Sequence, residues 1–315
     1  KTVDHELSGN IIDLCPVGAL NNKAYRYRAR AWEMTQHPLV SPHDCAGTNL
    51  YGHVLRGRLM RVVPRPNEEI NETWIADRDR YSCEGLYTED RALTPMVKEA
   101  GAWREVDWET ALEAAARGLQ KVARETGGAQ VGTLVSPAAT VEESYLASRL
   151  ARGLGSENLD HRLRRIDFRG QQGEPLAPTL GCSIAELESA AGVLVVGSNL
   201  RKEVPIIAHR LRKGALRRAT RVAFVNPQAF EVTFPVEASL TSNGFGLAQH
   251  LAAVLQAALR AAGRAVPAHV ATALEGIAPT PEHERVAAML SQGDLRLILL
   301  GAIAARHAAW SELCV

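Results

Sequence analysis

Gly192-Val193-Leu194-Val195-Val196-Gly197-Ser198-Asn199 is the stretch that decides the fold. Val193 to Val196 is an unbroken apolar run rich in β-branched residues, which favour strands. Polar and apolar residues do not alternate in it, so both faces of the strand must be covered, as in the middle of a parallel sheet. Val222–Val225 and Leu295–Leu300 read the same way, and Val131–Val135 is a shorter strand of this kind. Helical segments separate them. Val106-Asp107-Trp108-Glu109-Thr110 opens a helix whose Leu112, Ala116, Leu119 and Val122 recur at helical spacing. Thr140 and Glu143 make a capping box ahead of a stripe of Tyr145, Leu146, Leu150 and Leu154, and Gly153 and Gly155 stop that helix. A longer helix is expected over Gly246–Ala262. Strands alternating with helices make this an α/β fold with a parallel sheet. In such sheets ligands bind beyond the carboxyl ends of the strands, where Gly197-Ser198-Asn199 lies.

Upstream the texture changes. Residues 1–34 are loop-rich and end in Tyr25-Arg26-Tyr27-Arg28-Ala29-Arg30-Ala31-Trp32. That interleaving suits either a twisted strand with one exposed face or a basic surface beside an anionic centre. Residues 35–93 read as a small, mostly β domain. Leu50–Leu55 and Leu59–Val63 flank Arg56-Gly57-Arg58, a hairpin signal, and Pro64 and Pro66 end the second strand. Residues 94–315 carry the α/β pattern. The first residue is Lys, and the strand at Leu295–Leu300 comes too near Val315 for a further α/β unit to follow. The chain therefore reads as an excised piece whose α/β domain is truncated at its C-terminus.

The chain has 315 residues, 46% of them hydrophobic and 23% charged, with a formal net charge of +1. This is material for roughly two soluble domains. The balance of charge excludes a general nucleic-acid binder, and the basic stretches His161–Arg165 and Arg210–Arg221 read as helix faces turned to solvent or to a partner subunit. No apolar run approaches the roughly 20 residues of a membrane span. Five cysteines without a signal segment suggest a reducing compartment. There is no His-Glu-x-x-His, no Gly-x-Gly-x-x-Gly, no P-loop and no spaced nucleophile–base pair.

Cys15 is the one strong candidate metal ligand. It stands before Pro16 in a small-residue loop, Cys15-Pro16-Val17-Gly18-Ala19-Leu20. A Cys-Pro step of this kind commonly supplies the last thiolate of an iron–sulfur cluster. The surrounding run Glu6-Leu7-Ser8-Gly9-Asn10-Ile11-Ile12-Asp13-Leu14-Cys15, then Lys23 and Ala29-Arg30-Ala31-Trp32-Glu33, closely resembles the large iron–sulfur subunit of respiratory complex I, the G-subunit of the bacterial enzyme. So do Gly57–Arg65, Glu69–Tyr81, Arg91–Met96 and Trp108–Leu112. The likeness is looser beyond about residue 120, in Ser156–Arg164 and Val195–Glu203.

The resemblance implies that residues 1–34 end a 4Fe–4S ferredoxin-like domain, with Cys15 as one cluster ligand and the other three upstream. It implies that 35–93 is a degenerate 4Fe–4S-type β domain and 94–315 a molybdopterin-oxidoreductase-like α/β domain. In register with that family, the four ligand positions of the second region are Ser41, Asp44, Thr48 and Ala76, none a cysteine, while Cys45 and Cys83 fall out of register. His43-Asp44-Cys45 is a weak metal motif, because consecutive residues seldom face one ion. Gly197-Ser198-Asn199 resembles a segment that contacts the nucleotide of the molybdopterin cofactor. It runs on here into Leu200-Arg201-Lys202, and Cys182 is not placed as a molybdenum ligand, so no molybdenum is expected.

The implied activity is electron transfer and scaffolding in an NADH–quinone oxidoreductase. The implied partners are the flavin-bearing NADH-oxidising subunit and the subunit with two ferredoxin-type clusters. The implied place is a peripheral arm on the cytoplasmic face of the bacterial inner membrane, reached only through partners. The alternative is a molybdopterin-dependent oxidoreductase such as a formate dehydrogenase. A third reading is a structural relative with no cluster.

Overall fold

A computed structural model of the chain describes residues 3–162, 166–175, 178–244 and 246–314. The chain divides into two compact units, Lys1–Cys83 with Ile166–Val315, and Glu84–Arg165.

The first unit opens with a short helix α1, Ile11–Leu14, whose C-cap is Cys15. A three-stranded antiparallel sheet follows: β1, Thr35–Val40; β2, Asn49–Leu55; and β3, Arg58–Pro64. The expected hairpin is β2–β3, and its central residues Arg56 and Gly57 both have positive φ, 50° and 77°. Two successive left-handed residues match the twist of the flanking strands, which is why a glycine stands there. Leu50, Val62 and Ile75 form the small core under this sheet. Helix α2, Asp77–Tyr81, packs beside β3. Tyr25 to Arg28 forms turns, not the twisted strand that the interleaving allowed.

In the second unit a hairpin of β4, Met96–Glu99, and β5, Ala102–Glu105, precedes helix α3, Trp108–Glu125. Asp107 caps α3 by accepting the Thr110 N–H at 2.7 Å. The capping box forms as read: Glu143 N–H donates to Thr140 Oγ1 at 3.1 Å, and Thr140 N–H to Glu143 Oε2 at 2.8 Å, opening α4, Val141–Gly153. The strand expected at Val131–Val135 shrinks to β6, Thr133–Leu134. It pairs in parallel with β7, Leu159–Asp160, inside this unit, and does not join the main sheet. Leu112, Leu146 and Leu150 are exposed.

The main sheet belongs to the first unit. Its strands are β8, Gly192–Val196; β9, Arg221–Asn226; β10, Ala238–Thr241; and β11, Arg296–Leu300. They are all parallel in the order β10-β9-β8-β11. The β8 side chains divide by parity. Val193 and Val195 face a layer with Leu187, Ile206, Leu211 and Phe224, and Leu194 and Val196 face one with Leu247, Val254, Val286 and Met289. Helices α5, Leu200–Glu203, and α6, Pro205–Arg217, follow β8, and α6 covers the first face. Helix α7, Gly246–Ala261, covers the second, where α8, Ala271–Leu274, and α9, Pro281–Leu290, pack onto α7. A last short helix, α10, spans Trp310–Leu313. Strand β10 escaped the sequence reading because Ala238-Ser239-Leu240-Thr241 alternates on an edge.

The basic stretch Arg210–Arg221 divides: Arg212, Arg217 and Arg218 are exposed, as on a solvated helix face, while Arg210 and Lys213 turn inward. Arg210 is buried and donates to Glu188 Oε1 at 2.5 Å and to the carbonyls of Glu68 and Ile70, while Lys213 bridges Glu72 and Glu188. Carbonyls of the Asn67–Glu72 turn, invisible to local pattern, are what draw Arg210 inward. In the other stretch, His161 and Arg162 are not helical, and Leu163 to Arg165 lie outside the described residues.

Candidate functional site

Cys15 leaves α1 with extended backbone, at φ −81° and ψ 106°, and the chain then curls around its sulfur. Gly18, at φ 67°, makes the curl possible. Leu20 N–H donates to Cys15 Sγ at 3.4 Å. That bond, with the backbone N–H groups of Val17, Ala19 and Gly18 behind it, holds the Cys15 thiol below its ordinary range, because each donor favours the thiolate. Leu14 and Val17 flank it and are exposed. The loop is a thiolate cradle open to one side.

Little apolar burial holds this loop, since α1 has no buried residue. Polar contacts hold it. Asn10 donates to the Ile75 carbonyl at 2.7 Å and accepts the Ile75 N–H at 3.0 Å. Asp77 accepts the Gly9 N–H at 2.6 Å. Arg80 pairs with Asp13. Glu6 binds Arg201 at 2.9 Å and Lys202 at 2.7 Å, and despite its desolvation these bonds hold its carboxyl down at about 2.

The four positions of the second region have a different fate. Ser41, Thr48 and Ala76 are buried, and Ser41 Oγ donates to Asp79 Oδ1 at 2.6 Å. Asp44 pairs with Arg78, whose other donors reach the carbonyls of Lys202 at 2.9 Å and Glu203 at 2.8 Å. His43 turns to Ser82 Oγ at 2.8 Å, so His43, Asp44 and Cys45 do not converge. Partial burial of the sulfur, with the Asp44 charge, pushes the Cys45 thiol up. Cys83 Sγ lies 3.8 Å from the Arg80 carbonyl. Among the described residues no three His, Cys, Asp or Glu side chains gather as a metal site. This pocket does not fit a cluster.

The end of β8 is likewise filled by the chain itself. Gly197 has φ 60°, and a Cβ there would fall 2.4 Å from Ala304 N. Asn226 accepts the Ser198 N–H at 2.8 Å and donates to the Ser198 carbonyl at 3.0 Å. Glu203 accepts Ser198 Oγ–H at 2.7 Å and the Ala302 N–H at 2.8 Å. The donors at this strand end are thus spent within the chain, the Ser198 N–H on the Asn226 amide and the Ser198 hydroxyl and Ala302 N–H on the Glu203 carboxylate. Cys182, in a loop before the buried Leu187, has its thiol pushed up by burial. These residues do not fit a molybdopterin cofactor.

Sequence reasoning missed Glu203, Asp79, Arg78 and Arg80. Asp77-Arg78-Asp79-Arg80-Tyr81 is part of the family likeness, and a likeness does not reveal which of its charges are buried.

The molybdopterin oxidoreductase family model matches residues 91–260. A model for the 4Fe–4S domain of NDSU1/NuoG-like NADH-ubiquinone oxidoreductase matches residues 40–84, and one for the ferredoxin-like domain of NADH-quinone oxidoreductase subunit 3 matches residues 1–21. The NADH-quinone oxidoreductase G-subunit of Rickettsia felis is 37% identical over 226 residues, 70% of this chain and 32% of the relative. The 78 kDa subunit of the mitochondrial NADH-ubiquinone oxidoreductase of Neurospora crassa is 35% identical over 75% of this chain and 32% of the relative. The chain belongs to the molybdopterin oxidoreductase family, in its complex I G-subunit branch. It spans about a third of the length of these two relatives. Acetylene hydratase from Pelobacter acetylenicus shares the fold, with a TM-score of 0.62 at 15% identity over 88% of this chain and 42% of the hydratase. The G-subunit likeness that the motifs carried is therefore borne out along most of the chain. No helix among the described residues is long and apolar enough to cross a membrane.

Proposed function

We propose that this chain is a segment of the electron-transfer and scaffold subunit of an NADH–quinone oxidoreductase, relaying electrons from NADH and flavin toward quinone. One observation carries the reading. Cys15, whose thiolate is favoured by a ring of backbone N–H groups, lies in the stretch matched by a ferredoxin-like domain of that enzyme class. Cys15 holds one corner of a 4Fe–4S cluster whose other ligands lie upstream. A cluster of this kind accepts and releases single electrons. The work of this chain's own residues is to present one thiolate at a fixed place and to keep its N–H donors turned to the sulfur.

Residues 1–34 then end a ferredoxin-like domain, 35–93 form a degenerate cluster-type β domain, and 94–315 form a molybdopterin-like body without molybdenum. The spent donors around Glu203 support that last point. The partners are the flavin-bearing NADH subunit and the subunit with two ferredoxin-type clusters, and membrane association is indirect, on the cytoplasmic face of a bacterial inner membrane. The test uses the full-length subunit in its assembled complex. Low-temperature EPR of the reduced clusters should lose a 4Fe–4S signal in Cys15→Ala. Unchanged spectra, or molybdenum or tungsten near one atom per subunit, would sink the reading.

A further inference from the structure

We infer that the Arg80–Asp13 ion pair is the device that positions the Cys15 loop, and that its two charges bias the potential of the cluster at Cys15 in opposite directions. This rests on Cys15 being a ligand.

Four residues cannot sustain a helix by themselves, because forming the first turn costs more than its few hydrogen bonds return. Helix α1 has four residues and buries none of them. Something outside it must fix the direction in which it delivers Cys15. Its start is pinned by Asn10, which is bonded twice to the Ile75 backbone. Its end is pinned by Arg80. That side chain is 2% exposed, among the largest fully buried in the molecule. Its guanidinium meets both carboxylate oxygens of Asp13, with Nη1 to Oδ1 at 3.4 Å, and it also donates to Asn10 Oδ1 at 3.3 Å. One planar group thus grips both ends of α1, a geometry that Arg provides and Lys does not. Gly9 leaves room for it, since a Cβ there would lie 2.8 Å from Arg80 Nε. No packing argument explains why so costly a buried charge is spent on so small a helix. The position of Cys15 does.

Asp13 is two residues from Cys15, within about 7 Å along the chain. At that range each charge acts on a cluster, and the charge near a cluster is one of the terms that set its potential. Paired, the two nearly cancel. Removing either unmasks the other.

Potentiometric EPR titration with dithionite as reductant, on the full-length subunit in its complex, separates positioning from mere stability. Asp13→Asn leaves the Arg80 cation and should move the midpoint of the cluster to a more positive potential. Arg80→Gln leaves the Asp13 anion and should move it the other way, with a changed line shape as the loop loosens. Arg80→Lys keeps the charge and should return the midpoint toward that of the unaltered protein while leaving the line shape changed. Loosening alone would push both neutralising variants in one direction, and that result, or no shift, overturns the inference. If Arg80→Gln fails to assemble, Asp13→Asn decides, since Asp13 is at the partly exposed end of the pair. In the same series Cys15→Ala tests the ligand itself. Spectra unchanged by Cys15→Ala overturn the ligand assignment, and the inference with it. A signal lost there, but midpoints unmoved in the pair variants, overturns only the inference.

Discussion

Two loops of the first unit match 4Fe–4S family models, and they have spent their hydrogen bonds in opposite ways. Around Cys15, backbone N–H groups turn toward a sulfur at the surface of the chain. Around Ser41, Asp44, Thr48 and Ala76, the side chains at the ligand positions are buried, and Ser41 and Asp44 bind partners within the unit. The first loop keeps donors turned to a sulfur that can carry charge. The second fills its space with contacts inside the protein. The difference lies in the partners of each donor and acceptor, not in the family match.

The sharpest way to break that contrast is to remove a thiol from each loop. In the assembled complex Cys15→Ser should weaken or abolish one 4Fe–4S EPR signal, and Cys45→Ser should leave every signal in place. A signal lost in the Cys45 variant would show that the second loop still ligates. Next in size is Asp44→Ala. It strands Arg78, which ties the second loop to the carbonyls of Lys202 and Glu203. Breaking a buried pair costs about 3–5 kcal/mol. Arg78 keeps some solvent, so about 2–3 kcal/mol is expected, read as a lowered denaturant midpoint.

The fold was legible where one face or both faces of an element were set by local pattern. The continuous run at β8, the Arg56-Gly57 turn and the Thr140–Glu143 box all appear where their residues put them. Cys15 stands out as a candidate because a Cys-Pro step before a flexible glycine is a local signal. The edge strand β10 was not, nor was the inward turn of Arg210, because both depend on what lies across the sheet or across the unit. Glu203 was unreadable for the same reason. Its two partners, Ser198 and Ala302, stand five and 99 residues away.

A smaller effect tests whether the second loop is now core. Asp79 is buried, with Ser41 on one oxygen and no partner on the other. Desolvation pushes its carboxyl up from the usual value of about 4. A raised folded pKa means that the native state holds its proton longer than the unfolded chain does. The stability Asp79 contributes is therefore full below the ordinary Asp range and is lost as pH rises through the raised value. Asp79→Asn mimics the protonated form and should flatten the pH dependence of stability just above the ordinary Asp range. Ser41→Ala should cost about 1–2 kcal/mol by taking away the side-chain hydrogen bond of a buried carboxylate. A pH profile unchanged by Asp79→Asn would show that water reaches this side chain.

The gentlest probe compares the two thiols directly in the 315-residue chain itself. Iodoacetamide reacts with thiolates, so at equal access the thiol with the lower pKa is alkylated first near neutral pH. Leu20 N–H and its neighbours favour the Cys15 thiolate, while burial and Asp44 disfavour that of Cys45. Peptide mapping after brief labelling should find Cys15 modified several-fold ahead of Cys45, since each unit of separation in pKa is worth up to about tenfold in thiolate. Because a lower pKa also makes a weaker nucleophile, the lead should be largest at low pH and shrink as pH approaches the ordinary thiol range. Equal labelling at every pH would mean that the N–H ring does not reach the sulfur in solution. The first loop would then be no more prepared for a cluster than the second.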